Sequence, residues 1–106
     1  MGDTLINTSQ DPDGGVVVEV RGEVDVSSSQ RLRDVLQDIA GRLRPTRITV
    51  DLLHVTFIDS TGIGALASGA NAAHTHGIPF TTRQASPFVV TQLRTTGLYD
   101  ALTGER

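Results

Sequence analysis

The chain has 106 residues and a formal net charge of −3, enough for one domain with a modest core and without the basic excess of a nucleic-acid binder. It contains neither cysteine nor lysine, which excludes disulfides, thiolate metal sites, thiol catalysis, Schiff-base chemistry and a Walker phosphate loop. No apolar run approaches the roughly 20 residues of a membrane span, and the N-terminus lacks a basic-then-apolar signal, so a soluble cytoplasmic protein is expected.

Residues 4–9 read as a short strand, and Asp11-Pro12-Asp13-Gly14-Gly15 is turn chemistry. The β-branched run 16–20 predicts a second strand that forms a hairpin with the first. After Gly22-Glu23-Val24-Asp25, three serines offer N-caps for a helix near 28–43. Its inner face is Leu32, Val35, Leu36, Ile39, Ala40 and Leu43, at helical spacing, and Pro45 ends it. Residues 47–52 predict a strand that stops at Leu52 and gives way to a turn, which places Asp51 at a strand end or turn. A helix over 61–76 follows, with Ile63, Leu66, Ala67, Ala70 and Ala73 inward, small residues that suit close packing on a sheet, and Gly77 as terminator. Residues 78–82 predict another strand. Ser86-Pro87 is an N-cap with proline at the first helical position, opening a helix to 96 with Val89, Val90 and Leu93 inward and Gly97 as its stop. The order β-β-α-β-α-β-α predicts a single α/β domain over 1–106, a mixed sheet flanked by helices and joined by right-handed crossovers.

The stretch Asp59-Ser60-Thr61-Gly62-Ile63-Gly64 puts a serine hydroxyl at a helix N-terminus, beside an acid and two glycines. Ser60 reads either as a helix cap or as a regulatory hydroxyl that a partner reaches. A phosphoserine carries roughly −1.5 to −2 charges at neutral pH. Free N–H groups and the helix dipole would favour that anion within the domain, while a docked partner would have to bury it beside Asp59. Thr61 is a second candidate acceptor. Gly62 and Gly64 serve either close approach of a kinase or tight helix–sheet packing. Asp25 and Asp59 follow strand ends that gather on one edge of a parallel sheet, where they either receive a partner arginine or stay solvated. His54, His74 and His76 have no i, i+4 ligand pair, so no metal site is expected. No Ser-His-Asp arrangement or dinucleotide fingerprint emerges, and the scattered arginines make no nucleic-acid stripe, so the chain reads as a non-enzyme that binds no cofactor and no nucleic acid directly.

Three segments carry a family resemblance. Val20-Arg21-Gly22-Glu23-Val24-Asp25, Asp51 through Gly64 and Leu93-Arg94-Thr95-Thr96-Gly97-Leu98 are similar to motifs of the STAS domain of bacterial anti-sigma factor antagonists, in the same order and at similar spacing. The middle motif is the specific one. The resemblance implies that the serine directly after the acid, Ser60, is phosphorylated by a partner anti-sigma factor that is also a serine kinase of GHKL-type fold. It further implies a partner face that includes Asp25, Asp59, Ser60, Thr61, Gly62 and Gly64. ATP would belong to the partner, and a phosphatase would reset the switch. The alternative within the same domain class is a STAS subunit of a transporter or stress-signalling assembly.

Overall fold

A computed structural model of the chain describes residues 4–97; Leu98, the last residue of the closing motif, lies outside them. Strand β1 (Leu5–Gln10) and β2 (Val16–Val24) form an antiparallel hairpin. Its turn passes through Gly14 at φ +92°, a conformation that favours glycine. Arg47 braces the turn through ion pairs to Asp11 at 3.0 Å and Asp13 at 2.9 Å. Strand β3 (Ile48–Ile58) lies parallel to β2, and β4 (Phe80–Arg83) parallel to β3, giving the sheet order β1-β2-β3-β4. The crossovers carry α1 (Ser29–Asp38) and α2 (Ser60–Thr75), which pack on each other and therefore on one face of the sheet; α3 (Pro87–Thr95) follows β4 and packs against β3. The expected α/β domain with a mixed sheet and three helices is what is seen.

The core lies between the sheet and the α1–α2 layer. Val16, Val18 and Val20 alternate inward on β2, and Ile48, Val50 and Leu52 on β3, against Leu32 and Leu36 of α1 and Ile63 and Leu66 of α2. The opposite sheet face is polar. Asp51 sits there, mid-strand and buried, which corrects its expected place at a strand end or turn. Its carboxylate accepts from the Leu53 N–H at 3.0 Å and pairs at 3.3 Å with Arg83, its register partner on β4.

Other expectations need correction. Strand β3 does not stop at Leu52 but runs six residues further, and β2 runs on to Val24. Two register shifts against β2 add extra residues to β3, so Leu52, Val55 and Ile58 turn inward at a spacing of three. The first helix changes character after Asp38, where a wider π-helical turn, Ile39–Leu43, ends at Arg44 with φ +50° just before Pro45. Ser28 occupies the α1 N-cap position, but its hydroxyl accepts from the Asp25 N–H instead of capping the helix. On α2, Ala65 and Gly69 are buried, while Ala67 and Ala70 are only half-buried. Gly69 explains the closeness of the two helices: a Cβ there would lie 2.6 Å from Leu36 Cδ1. The last strand begins at Phe80 rather than at 78, and Ser86 caps α3 as expected, accepting from the Val89 N–H.

Strand β4 pairs only with Ile48 to Asp51, so the carboxyl half of β3 projects beyond it. The start of α3 meets this half, where Phe88 stacks on Phe57 with ring centroids 5.8 Å apart. The carboxyl edge of the sheet is thus built from the ends of β2 and β3, the starts of α1 and α2, and Phe88.

Candidate functional site at the carboxyl edge of the sheet

Val24 and Ile58 are register partners, and the Asp59 N–H donates to the Val24 carbonyl at 3.1 Å. This sets Asp25 and Asp59 side by side just past the paired strand ends, on the shared edge expected of them. Asp25 shapes the loop into α1. Its carboxylate accepts from the Ser27 N–H at 3.0 Å and hydroxyl at 2.6 Å, and its carbonyl accepts from the N–H groups of Ser28 and Ser29.

Asp59, not Ser60, caps α2. One carboxylate oxygen accepts from the Thr61 N–H at 2.9 Å, the Gly62 N–H at 3.1 Å and the Thr61 hydroxyl at 2.6 Å. The Thr61 hydroxyl, followed by these N–H groups, holds the Asp59 carboxyl below the usual carboxylate range, against the opposing pull of burial. Ser60 is the first residue of the helix and is exposed, and among the described residues its hydroxyl meets no hydrogen-bond partner. Thr61 is half-buried and its hydroxyl is already committed to Asp59. The helix N-terminus is therefore less open to an added anion than its sequence suggests: two of its leading N–H groups are occupied by Asp59.

The two glycines differ. Gly62 is buried, and a Cβ there would come within 2.7 Å of both Ile58 Cγ1 and Val24 Cγ1, so its bareness lets α2 begin flush against the strand ends. Gly64 is half-buried, and a Cβ would lie 3.8 Å from the Arg33 guanidinium, an ordinary contact, so packing does not require glycine there. His54, His74 and His76 are all exposed, and among the described residues no three His, Cys, Asp or Glu side chains cluster as a metal site would require.

The sequence reading did not single out the ring pair. Phe57 is 40% exposed, Phe88 43% and Val26, in the neighbouring loop, 75%. An aromatic two residues before the acid-serine pair was the available signal for half of that pair.

Removing the cap should be measurable. Asp59→Ala is expected to cost about 1–2 kcal/mol at pH 7, as for other N-cap deletions. The folded-state carboxyl titrates below its unfolded value, so this stability is present above the unfolded value near pH 4 and is lost as pH falls through the folded one. Urea melts of wild type and variant should therefore converge as pH falls below about 4; a gap that stayed constant with pH would contradict the carboxylate's role.

The comparisons agree with this architecture. A family model described as "Mlab, STAS domain" matches residues 7–104. The chain belongs to the STAS-domain family. Among solved structures, it is similar to an anti-sigma factor antagonist from Mycobacterium paratuberculosis, at 25% identity and TM-score 0.75, covering 96% of this chain and 83% of that one. The anti-sigma factor antagonist SpoIIAA in its unphosphorylated form matches at 17% identity and TM-score 0.75, over 93% of this chain and 86% of that one. The Bacillus cell fate determinant SpoIIAA in its phosphorylated form matches at 19% identity and TM-score 0.70, over 89% and 85%. No helix of the described residues is long and apolar enough to cross a membrane.

Proposed function

We propose that this chain is an anti-sigma factor antagonist switched by phosphorylation of Ser60. Unphosphorylated, it binds a cytoplasmic anti-sigma factor with a GHKL-type serine kinase fold and so frees a sigma factor. Phosphorylated, it lets go, and a phosphatase restores it. The observation that carries this reading is the contrast between neighbouring hydroxyls: Ser60 is exposed and unbonded, whereas Thr61 is half-buried and bonded to Asp59. Two SpoIIAA structures, one phosphorylated and one not, support it by likeness of fold.

The chemistry asks little of the chain itself. The partner holds ATP; the Ser60 oxygen attacks the γ-phosphorus, the bond to the ADP oxygen breaks, and the hydroxyl proton passes to a base of the kinase. Asp25, Asp59, Ser60, Thr61 and Gly64 would form the polar part of the contact, with Gly62 beneath it and the exposed Phe57, Phe88 and Val26 supplying apolar surface nearby. The phosphate then adds a charge of roughly −1.5 to −2 to a surface that binding would desolvate.

Incubation with the cognate kinase and ATP should add one phosphate, located on Ser60 by mass spectrometry, and Ser60→Ala should stay unlabelled and hold the anti-sigma factor constitutively. Label on Thr61, or normal labelling of Ser60→Ala, would overturn the assignment. Recovery of a transporter assembly in pull-downs, indifferent to Ser60→Asp, would instead favour the transporter-subunit reading.

A further inference from the structure

We propose that Arg33 is the intramolecular counter-ion of a phosphate carried on Ser60, an inference that rests on the phosphorylation reading above. The need for one is local. A phosphate on Ser60 would stand beside the Asp59 carboxylate and near Asp25, and Asp59 already occupies the N–H groups of Thr61 and Gly62. The helix start has little left with which to bind it, so a cation reaching it from elsewhere would be its natural complement.

Arg33 is placed to supply it. Helices α1 and α2 pack together along a seam that steps one turn at a time on both. Gln37 donates to the Ser68 hydroxyl at 2.7 Å, and one turn earlier the Arg33 guanidinium lies beside Gly64, 3.8 Å from where a Cβ would be. One further turn back along α2 is Ser60. Helical residues four apart have Cβ atoms about 5–6 Å from each other on one face. Helical side chains also tilt toward the N-terminus, which carries Arg33 toward the level of Ser60. Gly64, which packing does not require to be glycine, keeps the intervening surface clear for a guanidinium.

Arg33 is also uncommitted. Among the described residues it has no ion pair or hydrogen bond. The other arginines between 4 and 97 are engaged: Arg21, Arg42, Arg47 and Arg83 in ion pairs, Arg31 and Arg44 on backbone carbonyls, and Arg94 as well. An unpaired guanidinium one helical turn from the modified hydroxyl has a physical use when the phosphate arrives. The modification would then change the docking face twice, adding a dianion and withdrawing an arginine from any acidic group of the partner.

The test uses the full chain with phosphoserine installed at position 60 during translation, so that no kinase is needed. Phosphorus NMR follows the second ionisation of the phosphate, near pH 6 in an isolated phosphoserine. Asp25 and Asp59 raise this value and Arg33 lowers it, so Arg33→Gln should shift the titration upward by about half a unit, the direction expected for loss of a nearby opposite charge. Arg33→Lys should retain part of the lowering, and Arg42→Gln, which removes a charge of the same sign in the π-helical turn after α1, should leave the titration unchanged. Identical titrations of wild type and Arg33→Gln would overturn the proposal, as would an equal shift from Arg42→Gln, which would reduce the effect to net charge. A chain that no kinase labels on Ser60 would count against the switch itself and leave this comparison intact.

Discussion

Ser60→Asp is expected to weaken binding of the anti-sigma factor by about two decades, a loss of ~3 kcal/mol, while the melting temperature barely moves. Ser60 sits at the first position of α2, so an acid there meets the positive end of the helix dipole, a favourable interaction of about 0.3–1 kcal/mol that offsets repulsion from Asp59. The cap itself is untouched, because Asp59 and not Ser60 supplies it. In a complex the new carboxylate would be desolvated next to a carboxylate already held in its ionised form by Thr61. Aspartate carries less charge than a phosphate and lacks its tetrahedral oxygens, so genuine phosphoserine should weaken binding further. Titration calorimetry against the anti-sigma factor, with thermal melts of both proteins, decides the matter. Unchanged affinity with an intact fold would place Ser60 outside the interface. Lost affinity with a collapsed melting temperature would make the site structural.

Gly69→Ala is expected to destabilise the domain, although on an open helix face the same change would stabilise it. Alanine is the better helix former by about 1 kcal/mol, so an exposed position would gain stability from this change. At Gly69 the added Cβ would lie 2.6 Å from Leu36 Cδ1 and 2.8 Å from Leu36 Cβ. Leu36 is fully buried on α1 and has no room to withdraw. The helices must separate, and overpacking of this kind costs about 1–3 kcal/mol. For a domain near 100 residues that corresponds to a fall in melting temperature of roughly 5–20 °C. In a Leu36→Ala background the contacts to Cδ1 and Cγ are gone and only the approach to Cβ remains, so the second substitution should cost less than in wild type. Equal costs in both backgrounds would show that the Leu36 side chain beyond Cβ does not set the distance between α1 and α2.

Local chemistry was legible wherever a residue acts on its own neighbours in the chain. The hairpin turn, the Ser86-Pro87 helix start, the glycine stop at Gly77 with φ +68° and the inward valines of β2 depend on dihedral preference and on a period of two or 3.6. The acid-serine-threonine start of α2 was visible for the same reason. The carboxyl half of β3 was not, because two bulges against β2 change its inward spacing from two to three, and a bulge is a property of the pair of strands. The choice between the two readings of Ser60, cap or free hydroxyl, depended on which oxygen reaches the N–H groups of Thr61 and Gly62, a matter of side-chain geometry that the order of residues leaves open.

The sequence by itself determined the element order, the one-domain α/β class and the place of a serine hydroxyl at a helix start, because these follow from periodicity and from groups within a few residues of each other. Only the tertiary structure decided what surrounds that hydroxyl. Strand register sets Asp25 and Asp59 side by side on the edge they were expected to share, Gly62 is bare because Val24 and Ile58 press on it, and Arg33 comes alongside α2 from a helix about thirty positions earlier. Those neighbours are set by the packing of elements distant in the chain, and the spacing of residues along the chain carries no record of which distant side chains will meet.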